Sequence, residues 1–131
     1  MLQYSSDQQA ALEALAETRD EAALWRTIIA FQSYPFFTAS GLPFTYTLKR
    51  GRNGDYNREL LIDRRENSKT LTWGSIRLVF SHALEKKGQI VEKPKALGDI
   101  RGVSYIYPLL WKFGVIEVPQ KFAETMDGVA Q

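Results

Sequence analysis

The amino-acid sequence predicts one α+β domain with a small antiparallel sheet of three strands. First, the chain has 131 residues, 44% hydrophobic and 24% charged, which is typical of one globular domain with its own core. Second, Phe44–Arg50 alternates between apolar and polar side chains, the pattern of a half-buried strand. Third, apolar residues between Trp73 and Leu84 recur at helical spacing, which predicts a long amphipathic helix over about 72–87.

The N-terminal segment, residues 1–31, is expected to form two helices. Ser6–Gln9 has the spacing of a capping box, so a first helix is predicted from about Asp7 to Glu17. Thr18–Glu21 repeats that spacing, and a second helix is predicted from about Arg19 to Phe31. The second helix has a broad apolar stripe that must pack on the rest of the domain. The first has fewer apolar residues and is interpreted as an arm or a dimer contact.

Residues 34–87 predict a three-stranded meander followed by the long helix. Tyr34–Thr38 is a short extended segment, Phe44–Arg50 is the clearest strand, and Glu59–Asp63 is its return strand. Gly51–Asp55 contains Asn-Gly, a strong signal for a hairpin turn. Gly88 ends the helix, and several hydroxyl side chains before it are candidate caps: Ser68, Thr70 and Thr72.

Residues 93–118 have the order helix, glycine turn, helix and strand. Gly98 and Gly102 are four positions apart, with Leu97 and Val103 as apolar neighbours, and Leu109–Val118 leads from a helix into a strand. In these features the segment resembles the helix-turn-helix and winged-helix family. The resemblance implies a unit that binds DNA.

Other parts of the chain carry further resemblances and departures. Arg101 and Pro108 fall where the helix-turn-helix family usually buries aliphatic side chains. The predicted sheet and long helix are similar in architecture to small DNA-binding domains at the start of some recombinases. Gly102–Pro108 is similar to small bacterial proteins of comparable length, which implies a bacterial source. Residues 119–131 are expected to be a C-terminal tail that completes a single domain over 1–131.

Charge is distributed unevenly along the chain. The net charge is only +2, but residues 1–31 hold two basic and five acidic side chains, and residues 113–131 hold one basic and three acidic ones. Between them, residues 49–112 hold fourteen basic and seven acidic side chains. Such segregation indicates either a positive face that attracts a polyanion or a solvated surface without a partner.

The basic residues of the middle region are the candidate nucleic-acid contacts, because Lys and Arg neutralise phosphates. They come from a hairpin, from the segment that leads into the long helix, and from the helix-turn-helix-like unit. The N-terminus of the long helix is expected to contribute as well, because its free N–H groups and positive dipole end suit a phosphate. Arg50-Gly-Arg52 also resembles the core of a minor-groove hook, without its flanking prolines. The predicted site comprises Lys49, Arg50, Arg52, Arg58, Arg64, Arg65, Lys69, Lys93, Lys95, Arg101 and Lys112. We therefore expect an accessory or regulatory protein that binds DNA or RNA.

A protein-interaction module is the alternative. If Ile106, Leu109, Leu110 and Phe113 face the core, the other face of their helix carries Ser104, Tyr107 and Trp111. Tyr and Trp contribute strongly to interfaces, so this face predicts docking to a protein partner or to a second copy of the chain. The competing interpretation is that the helix is buried on both sides.

Catalytic and cofactor motifs are missing from the sequence. There is no cysteine, the one histidine (His82) is predicted to lie on the polar side of a helix, and the carboxylates are scattered. Gly51–Gly54 lacks the context of a phosphate-binding loop. We therefore expect neither catalysis, nor a metal, nor a cofactor. The absence of a signal peptide and of a long apolar run predicts a cytoplasmic protein without a membrane partner.

Overall fold

The computed structural model of the protein describes residues 4–64 and 69–128. Five α-helices, a short 3-10 helix and four strands follow one another in those residues. In chain order they are α1 (Ser6–Thr18), α2 (Glu21–Ala30), β1 (Phe36–Phe37), β2 (Pro43–Arg50), β3 (Tyr56–Arg64), β4 (Lys69–Thr72), α3 (Trp73–Glu85), the 3-10 helix (Pro94–Leu97), α4 (Val103–Lys112) and α5 (Gln120–Met126).

The sheet has four antiparallel strands in the order β1-β2-β3-β4, so the α+β class is confirmed and the prediction of three strands is wrong. The additional strand is β4, whose residues the sequence analysis assigned to helix capping. Leu71 pairs with Leu60 and is buried beside it, while Thr70 pairs with Leu61. Four residues are too few to show a period, and threonine suits both a strand and a helix cap. Only the pairing with β3 distinguishes the two.

The two faces of the sheet differ as the alternation of β2 predicts. Phe44, Tyr46 and Leu48 are buried against the helices, whereas Thr45 and Thr47 belong to the opposite face, which we call the open face. The buried side is tied to α2 by a hydrogen bond from the Tyr46 hydroxyl to the Ile28 carbonyl, 2.6 Å long.

Helices α1, α2 and α3 begin at polar caps. Ser5 caps α1, one residue before the predicted position. It forms a capping box with Gln8, in which each side chain accepts a hydrogen bond from the backbone N–H of the other residue. Asp20 caps α2 by accepting from the Ala23 N–H, and Thr72 caps α3 by accepting from the Ser75 N–H. Thr72 thus ends β4 and starts α3, and no loop separates the two elements.

Helix α4 is the most deeply buried helix of the chain. All six residues from Tyr105 to Leu110 are buried, including Pro108, which lies inside the helix. Proline has no N–H to donate to the carbonyl four residues earlier, which here belongs to Ser104, an exposed residue. A helix with apolar side chains around most of its circumference is expected to be buried in this way.

The segment that resembles a helix-turn-helix contains one α-helix rather than two. The 3-10 helix occupies the position of the predicted first helix, and α4 that of the second. In place of the predicted strand after α4, Glu117 forms a single parallel bridge with Ile90. None of the helices in residues 4–64 and 69–128 combines the length and apolar character that crossing a lipid bilayer requires.

Candidate nucleic-acid interface

Five of the predicted cationic side chains lie around strand β4. We call them the β4 cluster: Lys49, Arg58, Arg64, Lys69 and Arg101. They come from β2, β3, β4 and the turn before α4, which are far apart in sequence. Because β4 is an edge strand, side chains from both faces of the sheet and from the turn beside it can reach its surroundings.

On the open face, Lys49 reaches across β3 to β4. Its Nζ donates a 3.3 Å hydrogen bond to the Thr70 hydroxyl and lies 3.5 Å from a carboxylate oxygen of Glu59. Both partners of this ion pair are about two-fifths exposed, so solvent weakens their attraction. The Lys49 ammonium group therefore remains partly accessible to solvent beside Thr70.

At the start of β4, Tyr105 of α4 holds two cations together. Arg64 donates to the Tyr105 hydroxyl, and the Lys69 Nζ lies 5.5 Å from the centre of the tyrosine ring. The ring itself is buried and packs edge-on against Phe44, with 5.1 Å between ring centres. A buried aromatic ring on a core helix thus fixes where Arg64 and Lys69 project.

Beside β4, a small cleft of about 210 Å³ contains Arg101. The turn that carries Arg101 packs closely on the strand because the next residue is glycine. Gly102 has a φ of +86°, and a Cβ at this position would lie 2.2 Å from the Leu71 side chain. The cleft is lined by three hydroxyl side chains together with Leu71 and Arg101: Thr70, Thr72 and Ser75.

Just beyond β4, Arg58 stacks on two tryptophans. Its guanidinium carbon lies 4.2 Å from the ring centre of Trp25 and 5.3 Å from that of Trp73, and the two rings meet edge-on at 5.1 Å. Both tryptophans are half-buried while Arg58 is exposed. A cation over an aromatic face gains electrostatic stabilisation and keeps its N–H donors for other partners.

The other predicted cations lie outside the β4 cluster. At the hairpin, Arg50 donates to the Gly54 carbonyl and to the Tyr56 hydroxyl, and Arg52 is exposed at the turn. Lys112 pairs with Asp127 at 3.2 Å, its side chain only 12% exposed. Lys93 and Lys95 are exposed beside and within the 3-10 helix, and Arg65 lies outside the described residues. The structure therefore brings together only part of the predicted set.

The three residues of the alternative interaction surface have different environments. Ser104 is exposed, whereas Tyr107 is fully buried and donates a 2.6 Å hydrogen bond to the Val91 carbonyl. Tyr107 is therefore a core residue, as the competing interpretation of this helix proposes. Trp111 is half-buried and lines an open groove of about 470 Å³ with Tyr4 and residues of α5.

Several residues that build the site were not identified from the sequence. Trp25, Trp73 and Tyr105 position the cations, and Ser75 lines the cleft. Of these residues, only Trp73 could have been suspected from the sequence, because it directly follows the candidate helix caps. Among the described residues, no three His, Cys, Asp or Glu side chains are grouped so that they could hold a metal ion.

Comparisons with known proteins found no match from which a function could be inferred. No family model matches the sequence, and neither a curated protein nor a solved structure is significantly similar to the chain.

Proposed function

We propose that the protein binds nucleic acid through the β4 cluster, as an accessory or regulatory factor. The observation that supports the proposal is the gathering of five cations around one strand of four residues. A strand of this length spans about 10 Å, comparable to about three successive phosphates of one nucleic-acid strand. Lys69 belongs to β4, Lys49 reaches Thr70 in the middle of the strand, and Arg101 lines the cleft beside it.

The cleft beside β4 suits a phosphate group. Arg101 supplies a planar guanidinium, which binds phosphate oxygens through paired hydrogen bonds, and the hydroxyls of Thr70 and Ser75 are further donors. The Ser75 N–H at the start of α3 already donates to the Thr72 hydroxyl, so we expect a phosphate in the cleft to be bound mainly by side chains. Contacts of this type position a nucleic acid without reading its bases, so we expect little sequence preference.

A binding titration with matched variants tests the proposal. Fluorescence anisotropy of a short labelled oligonucleotide, single-stranded or duplex, is followed at low and moderate salt. The variant Lys69→Ala/Arg101→Ala should bind roughly tenfold more weakly, because it loses two phosphate contacts. The control Arg52→Ala/Lys93→Ala removes the same residue types outside the cluster and should bind nearly as well as the parent protein.

Two results would overturn the proposal. One is no binding at tens of micromolar protein in low salt. The other is an equal loss in the two double variants, since that would show a response to net charge and not to the β4 cluster.

A protein-interaction module remains the second candidate, and the exposed part of Trp111 favours it. Trp111 lines a groove between α4, α5 and Tyr4, and Lys112 lies 4.8 Å from its ring centre. Sedimentation of the parent protein and of Trp111→Ala would reveal a dimer that depends on this side chain, and a pull-down with each would reveal a partner that does. An unchanged monomer in both samples would count against this candidate.

A further inference from the structure

A second groove, of about 430 Å³, lies at the end of α3 away from the β4 cluster. It is bounded by the last turns of α3, the residues that follow them, and the 3-10 helix. Side chains that can donate or accept hydrogen bonds line most of it, next to the backbone of residues 96–98. They are His82, Glu85, Lys86, Gln89 and Lys95.

His82 is held in one orientation in this groove. Its Nδ1 lies 2.7 Å from the carbonyl oxygen of Leu97. A carbonyl can only accept a hydrogen bond, so Nδ1 must carry the hydrogen. In the neutral imidazole, Nε2 is then left with a lone pair, and it has no hydrogen-bond partner among the described residues. The side chain expected on the polar surface of α3 is therefore half-buried and positioned by the backbone.

Gly98 makes this arrangement possible. Its φ is +113°, and a Cβ at this position would lie 3.1 Å from the His82 Nδ1 and 2.9 Å from the Ile100 side chain. A larger residue would push the imidazole away from the Leu97 carbonyl. The glycine that the sequence analysis assigned to a helix-turn-helix thus shapes the groove.

We propose that this groove binds a small phosphate monoester that carries hydroxyl groups, such as a sugar phosphate. Lys86 and Lys95 provide two positive charges and hydrogen-bond donors for the phosphate. The His82 Nε2 and the Glu85 carboxylate are acceptors, which match the hydroxyl groups of the same molecule. Gln89 can serve as donor or acceptor.

A metal ion fits these residues less well. Zinc sites use at least three protein ligands, and the groove supplies one imidazole and one carboxylate. The two lysines would also repel a cation. An anion with hydroxyl groups uses all of the charged and polar side chains.

The groove is separate from the proposed nucleic-acid interface. Helix α3 has 13 residues, so its two ends are about 20 Å apart. Thr72 and Ser75 lie at one end, and His82 and Glu85 at the other. Binding at one site can therefore be tested independently of binding at the other.

The single histidine of the chain provides the measurement. The ring C–H signals of His82 are the only histidine signals in a proton–carbon NMR spectrum, so they need no further assignment. Ribose 5-phosphate should move them in a saturable way at millimolar concentrations, inorganic phosphate should do so more weakly, and ribose should leave them unchanged. Chloride at matched ionic strength controls for a salt effect.

Matched lysine variants locate the site. Lys86→Ala/Lys95→Ala should weaken ribose 5-phosphate binding by about tenfold, a loss of about 1.4 kcal/mol. Lys87→Ala/Lys93→Ala removes two neighbouring lysines that do not line the groove and should bind as the parent protein does. Glu85→Ala should reduce the preference for ribose 5-phosphate over inorganic phosphate, because an acceptor for the sugar hydroxyls is lost.

Any of three results would overturn the proposal. The first is no saturable shift with ribose 5-phosphate, or one that chloride reproduces. The second is equal affinity for ribose 5-phosphate and inorganic phosphate, which would leave an unselective anion site. The third is an equal effect of the two lysine double variants.

Discussion

The Tyr46 hydroxyl donates a hydrogen bond to the Ile28 carbonyl and so joins the sheet to the last turn of α2. Carbonyls in a last turn lack partners within their helix, and this one is buried. Tyr46→Phe should therefore lower the free energy of unfolding by about 1–3 kcal/mol, the cost of a buried acceptor without a donor. Urea denaturation measures the difference.

Tyr56→Phe is the control for that substitution. Tyr56 is half-buried, and its hydroxyl accepts from the side chains of Gln32 and Arg50, which can bind water when the hydroxyl is removed. Its removal should cost less than about 1 kcal/mol. If the two substitutions cost the same, the bond from Tyr46 to α2 does not contribute as described.

The tyrosines predict a loss of stability at high pH. Burial, together with Tyr4 and Asp127, raises the pKa of Tyr34 from 10.0 to about 12, and burial also raises the pKa values of Tyr46 and Tyr107. The folded state thus holds these protons to a higher pH than the unfolded chain does. The stability that Tyr34 contributes in this way is complete below pH 10.0 and is lost as the pH rises toward about 12, and the contributions of Tyr46 and Tyr107 are lost over a range that extends to higher pH.

Phenolate absorbance against pH checks this prediction. In the folded protein Tyr34, Tyr46 and Tyr107 should titrate at a higher pH than they do in the unfolded chain. In urea all six tyrosines should titrate together. A single transition near the ordinary tyrosine value in the folded protein would contradict the environments described for these three rings.

Gly102→Ala should be strongly destabilising. The substitution places a Cβ in a left-handed backbone conformation and 2.2 Å from the Leu71 side chain. The backbone contributes about 1–2 kcal/mol and the overlap about 1–3 kcal/mol more. Gly114→Ala is the matched control, because Gly114 has a φ of +83° and open space around it. Equal effects in thermal or urea unfolding would show that the contact with β4 is not tight.

Nucleic-acid binding should depend steeply on salt. If Lys69 contacts a phosphate, Lys69→Ala should lower the slope of log affinity against log salt by about one. Lys93→Ala should leave the slope unchanged. Anisotropy titrations at several salt concentrations provide the slopes, and a Lys69→Ala slope equal to that of the parent protein would exclude this contact.

Long periodic elements could be predicted from the sequence, and short elements could not. The strand that contains Phe44 and the helix that begins at Trp73 have enough residues to show their periods. β4 has four residues, and its neighbours on the sheet decide its state. Without β4, nothing indicated that Lys49 and Arg101 both lie beside Thr70.

Helix α4 illustrates a second limit. Its sequence indicates a helix with one apolar stripe, but Tyr107 on the other side is covered too. Val91 and Phe122 are among the residues that cover it. Val91 lies outside the helices and strands, and Phe122 lies in α5, a helix of seven residues. Burial on two sides depends on such long-range contacts, and the residue pattern of the helix itself does not predict them.

The lengths of the outer strands have a consequence for self-association. The sheet ends in β1, with two residues, and in β4, with four, one of them a lysine. Short edges and lysine are features by which proteins prevent sheets from adding strands of another molecule. We therefore expect the cations around β4 to disfavour edge-to-edge association as well. Variants that remove them need light scattering beside any binding assay, because a lost signal could otherwise reflect precipitation.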